Sequence, residues 1–389
     1  MTFFKVNTDK IKFDFWLKDL KSNKQKAVIS ALYSVNHIEN PDHDKIVEAL
    51  EKLLTHGDPV IRHSALVAVL EYDNGAINEL FPQIELMTED SSSMVREAAV
   101  IATGKTDKNT ETLLKNLLDS KHNEVRYQAV ISAAEKNYQS LIPDIENLLL
   151  NDSDSQVRTN AAIALGDLKA ENSISKLLNA AKNDDSFSVR YEAAVSAGFL
   201  GENSVVPILL NFMKKDKNLI MPVCDLLGNL KHPDIERAMN KIVSKFGYST
   251  QAKLYAAAVL AKHGDNSVQN FMTSKLKSFF FETRIVAIDR LAYTGKKWAA
   301  EALVQSLNIK DELFKDSIFI SLIKFFSPED RSEEQNIFVN SLMSIKEPLR
   351  SETLKQAKQT LESQKSDKYS DLIKLISQKL EVIKQELNN

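Results

Sequence analysis

The 389-residue chain lacks the features that mark several classes of protein. Its single cysteine, Cys224, excludes an internal disulfide framework and a metal site built from several thiolates. No stretch reaches the roughly 18 consecutive apolar residues of a membrane span. The first residues also lack the apolar core and small-residue cleavage site of a signal peptide. These absences predict a protein of the cytoplasm without a membrane span.

The charge balance excludes a further class. The chain has 50 lysines and arginines against 53 aspartates and glutamates, with a formal net charge of -3. Both signs are interspersed, so the whole chain carries no basic footprint for nucleic acid. The apolar fraction of 43% and the charged fraction of 26% are ordinary for a folded protein rather than a disordered one. We therefore expect a folded chain with no nucleic-acid partner.

What the chain does contain is repetition. The stretch DSDSQVRTNAAIALGDL, residues 152–168, returns with nearly the same letters about every 30–34 residues, and such a period indicates a solenoid or an array. Five copies share an arginine that serves as an anchor: Arg62, Arg96, Arg126, Arg158 and Arg190. The register extends back to Lys24, forward through Ile220, Lys253, Arg284 and Lys315, and more weakly to Arg350.

Each copy predicts a pair of helices. The second helix begins at a polar capping residue such as Asp58, Ser92, Asp154 or Ser186. We number positions relative to the anchor, so that +3 is the third residue after it. The apolar and small residues of the second helix stand at -1, +3, +4 and +7, which lie on one face of a helix. Strand signals are scarce. The sequence predicts an all-α fold, an α-solenoid or superhelix of about ten to eleven stacked helix pairs.

The repeat resembles the short bacterial HEAT repeat, in the form found in phycobilisome-lyase-type HEAT proteins. The match is carried by Asp154, Val157, Arg158, Ala161, Ala162, Leu165 and Gly166. Pro82, Pro143 and Pro207 precede the anchor, like the proline that bends the first helix of a HEAT repeat. The signatures of tetratricopeptide and ankyrin repeats are missing. The resemblance implies HEAT-like helix pairs and says little about activity.

Four segments follow from the register. We predict an N-terminal cap at 1–21, regular repeats at 22–215, degenerate repeats at 216–326, and a C-terminal helical cap and tail at 327–389. In the degenerate repeats the arginine is lost at several anchors, and phenylalanines accumulate in KLKSFFFETR (275–284) and IFISLIKFFS (318–327). This drift indicates either neutral divergence with a bulkier core or a specialised docking region.

The arginine row falls near the centre of the apolar face, where a charged head group must be paired. We predict a structural ladder made by Arg62, Arg96, Arg126, Arg158 and Arg190. Its expected partners are acidic residues of the adjacent inter-helix loops, such as Asp154 or Asp185. Phosphate or DNA binding would need the arginines to point outward among other bases, and neighbours such as Glu97 and Glu192 oppose it.

No catalytic constellation is found. His37 and His43 with Asp42 and Asp44 form the densest group of metal-binding residue types, but the segment has the pattern of a loop and a helix start. No His-Glu dipeptide occurs, so the di-iron HEAT hydroxylases are not supported. Glycine loops for phosphate and nucleophile turns are missing, and Cys224 is expected to be a buried small hydrophobe. We predict no enzyme activity, no cofactor and no metal.

A binding surface is expected on the second helices, which line the concave side of HEAT-type arrays. On this side we place the residues that stand two, five and nine positions after each anchor, called the +2, +5 and +9 rows. The residues of the +5 row are apolar. The candidate partner-binding residues are Val67, Ile101, Ile131, Ile163 and Val195, with Phe199 in the +9 row. Alternatively, the +5 side chains pack against the neighbouring repeat.

The function predicted is that of a monomeric, non-catalytic scaffold or adaptor that binds another protein. A bilin-lyase-like accessory role, implied by the resemblance, and a nucleic-acid-binding helical repeat protein are the alternatives.

Overall fold

The computed structural model describes residues 11–308, 312–326 and 351–363, with residues 370, 373, 374, 376–378 and 381. Contacts divide the chain into two compact units, unit 1 (Met1–Val205) and unit 2 (Val206–Asn389). The regular secondary structure of the described part is helical apart from one short pair of parallel strands, β1 (Ile11–Lys12) and β2 (Ile38–Glu39). The predicted fold class, an all-α solenoid, is confirmed.

Unit 1 opens with α1 (Phe13–Leu20) and α2 (Gln25–Leu32). Trp16 is buried between them, and its indole nitrogen donates a hydrogen bond to the Ala31 carbonyl oxygen at 2.7 Å. The following helices are α3 (His43–Leu54), α4 (Pro59–Tyr72), α5 (Asn74–Met87), α6 (Ser93–Lys105), α7 (Glu111–Leu118), α8 (Asn123–Glu135), α9 (Ile142–Asn151), α10 (Ser155–Asp167), α11 (Ile174–Asn183) and α12 (Phe187–Phe199). The second helices of the repeats are α4, α6, α8, α10 and α12, and each packs against the next.

The local sequence explains where these helices begin. The carboxylate of Asp58 accepts a hydrogen bond from the Val60 amide at 2.9 Å, and that of Asp154 accepts one from the Gln156 amide at 2.7 Å. Both bonds satisfy amides that the first helical turn leaves unpaired. Ser92 and Ser186 occupy the same position. In this described stretch their side chains make no capping bond, so the helix start depends there on the backbone and the packing.

The predicted proline bend takes two forms. Pro82 lies inside α5, whereas Pro143 and Pro207 lie in the first turn of α9 and α13 (Val206–Lys215). Each of the latter two helices follows directly on a 3-10 turn, at Gln139–Leu141 and Asn203–Val205. Proline is tolerated in a first turn because the amide it lacks has no partner within the helix.

Small residues let the second helices approach closely. The alanines at anchor +3 are completely buried: Ala65, Ala99, Ala129, Ala161 and Ala193. At anchor +8, a Cβ atom added to Gly166 would lie 2.9 Å from Ser196 Oγ, and one added to Gly104 would lie 2.9 Å from Ser132 Oγ. These separations are too short for a side chain, so glycine sets the spacing between helices at these two positions.

Unit 2 begins with α13 and continues with α14 (Ile220–Leu227), α15 (Pro233–Ser244), α16 (Thr250–Lys262), α17 (Gln269–Ser274), α18 (Phe281–Thr294), α19 (Lys297–Gln305), α20 (Glu312–Phe326) and α21 (Ser351–Ser363). Its second helices are α14, α16, α18 and α20. Phe314 and Phe319 are among the largest completely buried side chains. At these positions of α20 the phenylalanines therefore belong to the core.

The predicted segment boundaries stay predictions. The two units divide at Val205–Val206, within the segment predicted as regular repeats. Residues 1–10 of the predicted N-terminal cap lie outside the described residues, as does most of the predicted tail at 327–389. Among the helices that are described, none combines the length and the apolar character that a membrane span requires.

Candidate functional site

The arginine row of unit 1 forms ion pairs from one repeat to the next. The guanidinium of Arg62 donates to both carboxylate oxygens of Asp90 at 2.8 and 2.7 Å. Arg126 binds Asp152 in the same way at 2.6 and 2.9 Å, and Arg158 binds Asp184 at 2.8 and 3.0 Å. Arg96 pairs with Glu124. In the three aspartate pairs two parallel bonds give a defined geometry as well as charge attraction, whereas Arg96 donates both bonds to one oxygen of Glu124.

Each arginine also holds its own inter-helix loop. Arg62 donates to the His56 carbonyl at 2.8 Å, and Arg158 donates to the Asp152 carbonyl at 2.8 Å. Arg190 donates to the backbone carbonyls of Asp184 and Asp185. In the four arginines that form ion pairs, the guanidinium thus links the loop of its own repeat to the next repeat, whereas Arg190 holds only its own loop.

The acidic partners differ from the expected ones. Asp154 caps α10 and accepts a hydrogen bond from the Asn123 side chain at 2.7 Å, and Asp185 offers its backbone carbonyl to Arg190. The partners Asp90, Asp152 and Asp184 instead stand six residues before the next anchor. Where serine takes that place, at Ser120, Glu124 supplies the carboxylate. An acid at anchor -6 is a signal that the sequence contains and that the prediction missed.

The electrostatics agree with this arrangement. Burial raises the pKa of the Asp184 carboxyl, but the hydrogen bonds and charge of Arg158 outweigh it and hold that pKa below its usual value. The same balance lowers the pKa of Asp90 beside Arg62 and of Glu124 beside Arg96. These carboxylates are occupied by ion pairs between repeats.

The open face of unit 1 lies on its second helices. All five side chains of the +5 row are partly exposed: Val67, Ile101, Ile131, Ile163 and Val195. The residues at +3 and +4 beneath them are buried. Because each second helix packs against the next, the row forms a continuous apolar strip. Phe199, at +9 of α12, is 71% exposed at the end of this strip.

The +2 row was wrongly placed on this face in three repeats. Ser64, Ala98 and Gln128 are buried. The +1 row is partly exposed in their place: His63, Glu97, Tyr127, Thr159 and Tyr191. At about 100° per residue, +1 and +5 fall within about 40° of each other, whereas +2 turns toward the neighbouring second helix.

Two apolar residues at anchor -2 extend the strip and were missed. Val60 and Met94 are both exposed near the start of α4 and α6. They precede the +5 residue by seven positions, or about two helical turns. We call the -2, +1, +5 and +9 side chains of α4, α6, α8, α10 and α12 the second-helix face.

A cavity of about 500 Å³ opens on this face between α10 and α12. Ile163, Val195 and Phe199 form its apolar wall, and Asp167 and Glu192 lie at its border. Burial raises the pKa of the Glu192 carboxyl. Elsewhere on the face the Tyr127 hydroxyl donates to Glu97 at 2.7 Å, and Lys105 pairs with Glu135 at 3.2 Å. The apolar +5 row thus forms the floor of the second-helix face, and the mostly acidic residues around it form its rim.

The equivalent face of unit 2 is polar at two of its four +5 positions. At +5 it has Asp225 and Asp289, which both form ion pairs with the buried guanidinium of Arg290. The Tyr255 ring lies 3.9 Å from the Arg290 Cζ atom, and the Tyr293 hydroxyl donates to the Asp225 carbonyl at 2.8 Å. These carboxylates therefore serve the packing of α14 and α18.

The residues considered for chemistry are placed in structural surroundings. His43 bonds Glu79 at 3.0 Å, and Asp42 caps α3. In the described part of the chain, no group of three or more histidine, cysteine, aspartate or glutamate side chains could hold a metal ion. Cys224 is buried with its sulfur 3.7 Å from that of Met239, and burial raises the pKa of its thiol.

Comparison with known proteins supports the repeat. The family model of HEAT repeats matches residues 110–197 and 142–221. No curated protein matches the chain. A homology model of the full-length AP-3 complex is similar, with a TM-score of 0.52 and 16% identity over 93% of this chain and 78% of that one.

Two further structures are similar. Importin beta has a TM-score of 0.50 and 11% identity over 94% of this chain and 59% of that one. The complex of CpcE and CpcF of phycocyanin lyase from Nostoc sp. PCC7120 has a TM-score of 0.46 and 20% identity over 61% of this chain and 95% of that one. At these identities the likeness concerns the fold alone. The resemblance seen in the sequence is confirmed over residues 110–221, which match the model of HEAT repeats.

Proposed function

We propose that the protein is a non-catalytic scaffold that binds a segment of another protein along the second-helix face of unit 1. One observation carries this proposal: five apolar side chains at +5, from Val67 to Val195, are partly exposed on five adjoining helices. Contiguous apolar surface that stays accessible is a usual mark of an interaction site. An amphipathic segment laid into such a surface is a common mode of recognition.

The charges of the face indicate the chemistry of the segment. The accessible acids of its +1 and +9 rows are Glu71, Glu97, Glu135 and Asp167, against Lys105 among the bases. Glu192 and Lys169 lie beside the cavity. A suitable segment therefore has apolar residues toward the +5 row and basic residues toward the rim. Opposite charges at the rim favour the correct register and speed the encounter more than they add affinity.

The expected affinity is modest. Complete burial of one valine or isoleucine contributes about 1.5–3 kcal/mol, and these five are already partly buried, so each gains about half of that. Association costs at least about 4 kcal/mol in lost freedom of motion. Phe199 and the cavity between α10 and α12 supply the deepest additional contact, and we infer that this end of the strip holds the main anchor.

The test is affinity capture from a native lysate with the wild type and an Ile101→Asp/Ile163→Asp double variant. The variant is expected to lose a captured protein, because two carboxylates then interrupt the apolar strip. A matched control, Leu86→Asp/Leu150→Asp, makes the same change at exposed positions on the first helices α5 and α9 and should retain that protein.

Thermal unfolding distinguishes binding from folding. A double variant that unfolds within a few degrees of the wild type but loses the partner supports the face as a binding site. A variant that unfolds far earlier assigns Ile101 and Ile163 to the core and overturns the proposal. Equal capture by the wild type, the variant and the control overturns it as well.

A further inference from the structure

The loops that join the first helix to the second differ in charge between the units. In the five arginine-anchored repeats of unit 1 they contain eight acids and one lysine: Asp58, Glu89, Asp90, Asp119, Asp152, Asp154, Asp184, Asp185 and Lys121. In unit 2 the three loops before α14, α16 and α18 contain four lysines and one acid: Lys217, Lys245, Lys275, Lys277 and Asp216. The adjoining helix turns add Lys214, Lys215, Lys241 and Glu282, and with them the three segments are 214–217, 241–249 and 275–282. The sign of the charge is reversed at the same position of the repeat.

The three segments of unit 2 lie along one edge. The Lys217 ammonium donates to the Gly247 carbonyl at 3.2 Å and lies 5.2 Å from the centre of the Tyr248 ring, which joins the first segment to the second. The Lys262 ammonium, at the end of α16, lies 4.5 Å from the centre of the Tyr293 ring, near the end of α18. These helices pack together with their last turns adjacent, so they run parallel and their starting loops share an edge. We call these three segments the basic edge.

The basic edge carries almost completely exposed phenylalanines. Phe246 is 101% exposed, Phe279 is 93% exposed and Phe280 is 68% exposed. Phe279 and Phe280 meet edge to face with ring centres 5.7 Å apart. Phe319, by contrast, is buried in the core of the same unit. Phe279 and Phe280 thus form a small exposed apolar patch, and Phe246 is exposed on the neighbouring loop. Exposed apolar surface of this kind marks an interaction site.

We infer that the basic edge docks on the surface of a bilayer that contains anionic lipids. Lysines near a bilayer are attracted by the negative potential of anionic head groups. Phenylalanines that project between them can enter the boundary between head groups and acyl chains, where apolar side chains lose contact with water. Phe246, Phe279 and Phe280 protrude from loop tips instead of lining a groove, and such tips suit a deformable lipid surface better than a partner's preformed pocket.

The test is co-sedimentation of the full chain with vesicles of phosphatidylcholine, with and without phosphatidylglycerol. The wild type should bind the phosphatidylglycerol vesicles, and added salt should weaken this binding because it screens the lysines. A Lys245→Glu/Lys277→Glu variant should lose at least about tenfold in affinity, because two charges that the anionic surface attracts are replaced by two that it repels. A Phe246→Ser/Phe279→Ser variant should lose binding that persists at high salt.

Phe187→Ser is the matched control, because Phe187 is exposed at the start of α12 beside the acidic loop of unit 1. It should bind vesicles like the wild type. The inference is overturned if the wild type ignores phosphatidylglycerol, or if the control loses as much binding as the Phe246→Ser/Phe279→Ser variant. Binding to a single-stranded oligonucleotide without binding to vesicles overturns it too. Because the residues changed in the two test variants lie in unit 2, these outcomes are independent of partner capture by the second-helix face.

Discussion

The repeats of unit 1 and unit 2 solve the same packing problem differently. In unit 1 a guanidinium stands beside the core and an acid in the next loop pairs with it, as Arg158 does with Asp184. In unit 2 the anchor is Ile220 in α14, which is buried. At Arg284 of α18 the guanidinium lies 5.6 Å from the Phe281 ring centre and 5.1 Å from that of Phe314, so aromatic rings pack against the anchor of this repeat.

This difference shows what constrains the loops. A buried charge must be paired, and four of the five anchor arginines of unit 1 are paired with an acid of the next repeat. Where the anchor is apolar, that requirement ends and the loop can change sign, as the lysines at 214–217 show. Two of the four +5 positions in unit 2 are acidic as well, and Asp225 and Asp289 there pair with Arg290. The ion pairs of the anchors, the charge of the loops and the residues at +5 therefore all differ between the two units.

The largest effect that tests this comparison is expected from Arg158→Met. It leaves the Asp184 carboxylate largely buried without its partner, and breaking such a pair costs about 3–5 kcal/mol. Urea unfolding followed by circular dichroism measures the loss. Arg237→Met, in α15, removes an exposed arginine whose ion pair with Asp234 is at the surface, and should change stability by less than about 1 kcal/mol.

A second variant tests whether the unpaired carboxylate causes this loss of stability. Arg158→Met/Asp184→Leu removes both partners, as the apolar anchor of α14 does naturally, and should recover most of the stability that Arg158→Met loses. If the double variant is as unstable as the single one, the unpaired carboxylate is not the cause of the loss.

A smaller effect is expected from the glycines at anchor +8. Gly166→Ala places a Cβ atom 2.9 Å from Ser196 Oγ, and overpacking of this kind costs about 1–3 kcal/mol. In unit 2, Gly228→Ala meets the Tyr293 ring, which is held by its bond to the Asp225 carbonyl, so its cost should be greater. Thermal unfolding compares the two variants.

Gly57→Ala is the control for the glycine series, because no atom lies within 4 Å of the added Cβ. It should leave the melting temperature nearly unchanged. A melting temperature for Gly166→Ala equal to that of the wild type would contradict the close approach of α10 and α12.

The smallest effect concerns pH. Because the pKa of Asp90, Glu124 and Asp184 is lower in the folded chain than its usual value, their contribution to stability is present above the usual carboxyl pKa of about 4. It is lost as the pH falls through the lower folded pKa. Melting temperatures measured from neutral pH downward should decline below about pH 4, and less so for Asp90→Asn/Asp184→Asn. If the variant has the same pH profile as the wild type, protonation of these carboxylates is not what destabilises the protein in acid.

Much of the fold could be predicted because it is periodic. The starts of the second helices at Asp58, Ser92, Asp154 and Ser186 agree with the structure. The buried alanines at +3 agree as well. A helix in a stack presents one face to the core, and a hydrophobic period of 3.6 residues identifies that face directly.

The site was harder to predict because it lies on the flanks of the helices. The sequence places the +2 and +5 rows about 60° apart, and only the packing of the next repeat decides which one is covered. Gln128 is buried, whereas Ile131 stays partly exposed. The exposed loop phenylalanines and the buried Phe319 are likewise the same residue type within one unit.

The sequence by itself determined the repeat, the helix pairs, the core rows and the arginines that need partners, because these depend on spacing along one helix. The tertiary structure decided which carboxylate each arginine binds, since the partners stand 26 or 28 residues apart. It also decided which rows stay open and which edge of unit 2 gathers lysines and phenylalanines. Those outcomes depend on how neighbouring repeats pack, and a contact between repeats leaves only a faint trace in the order of residues along the chain.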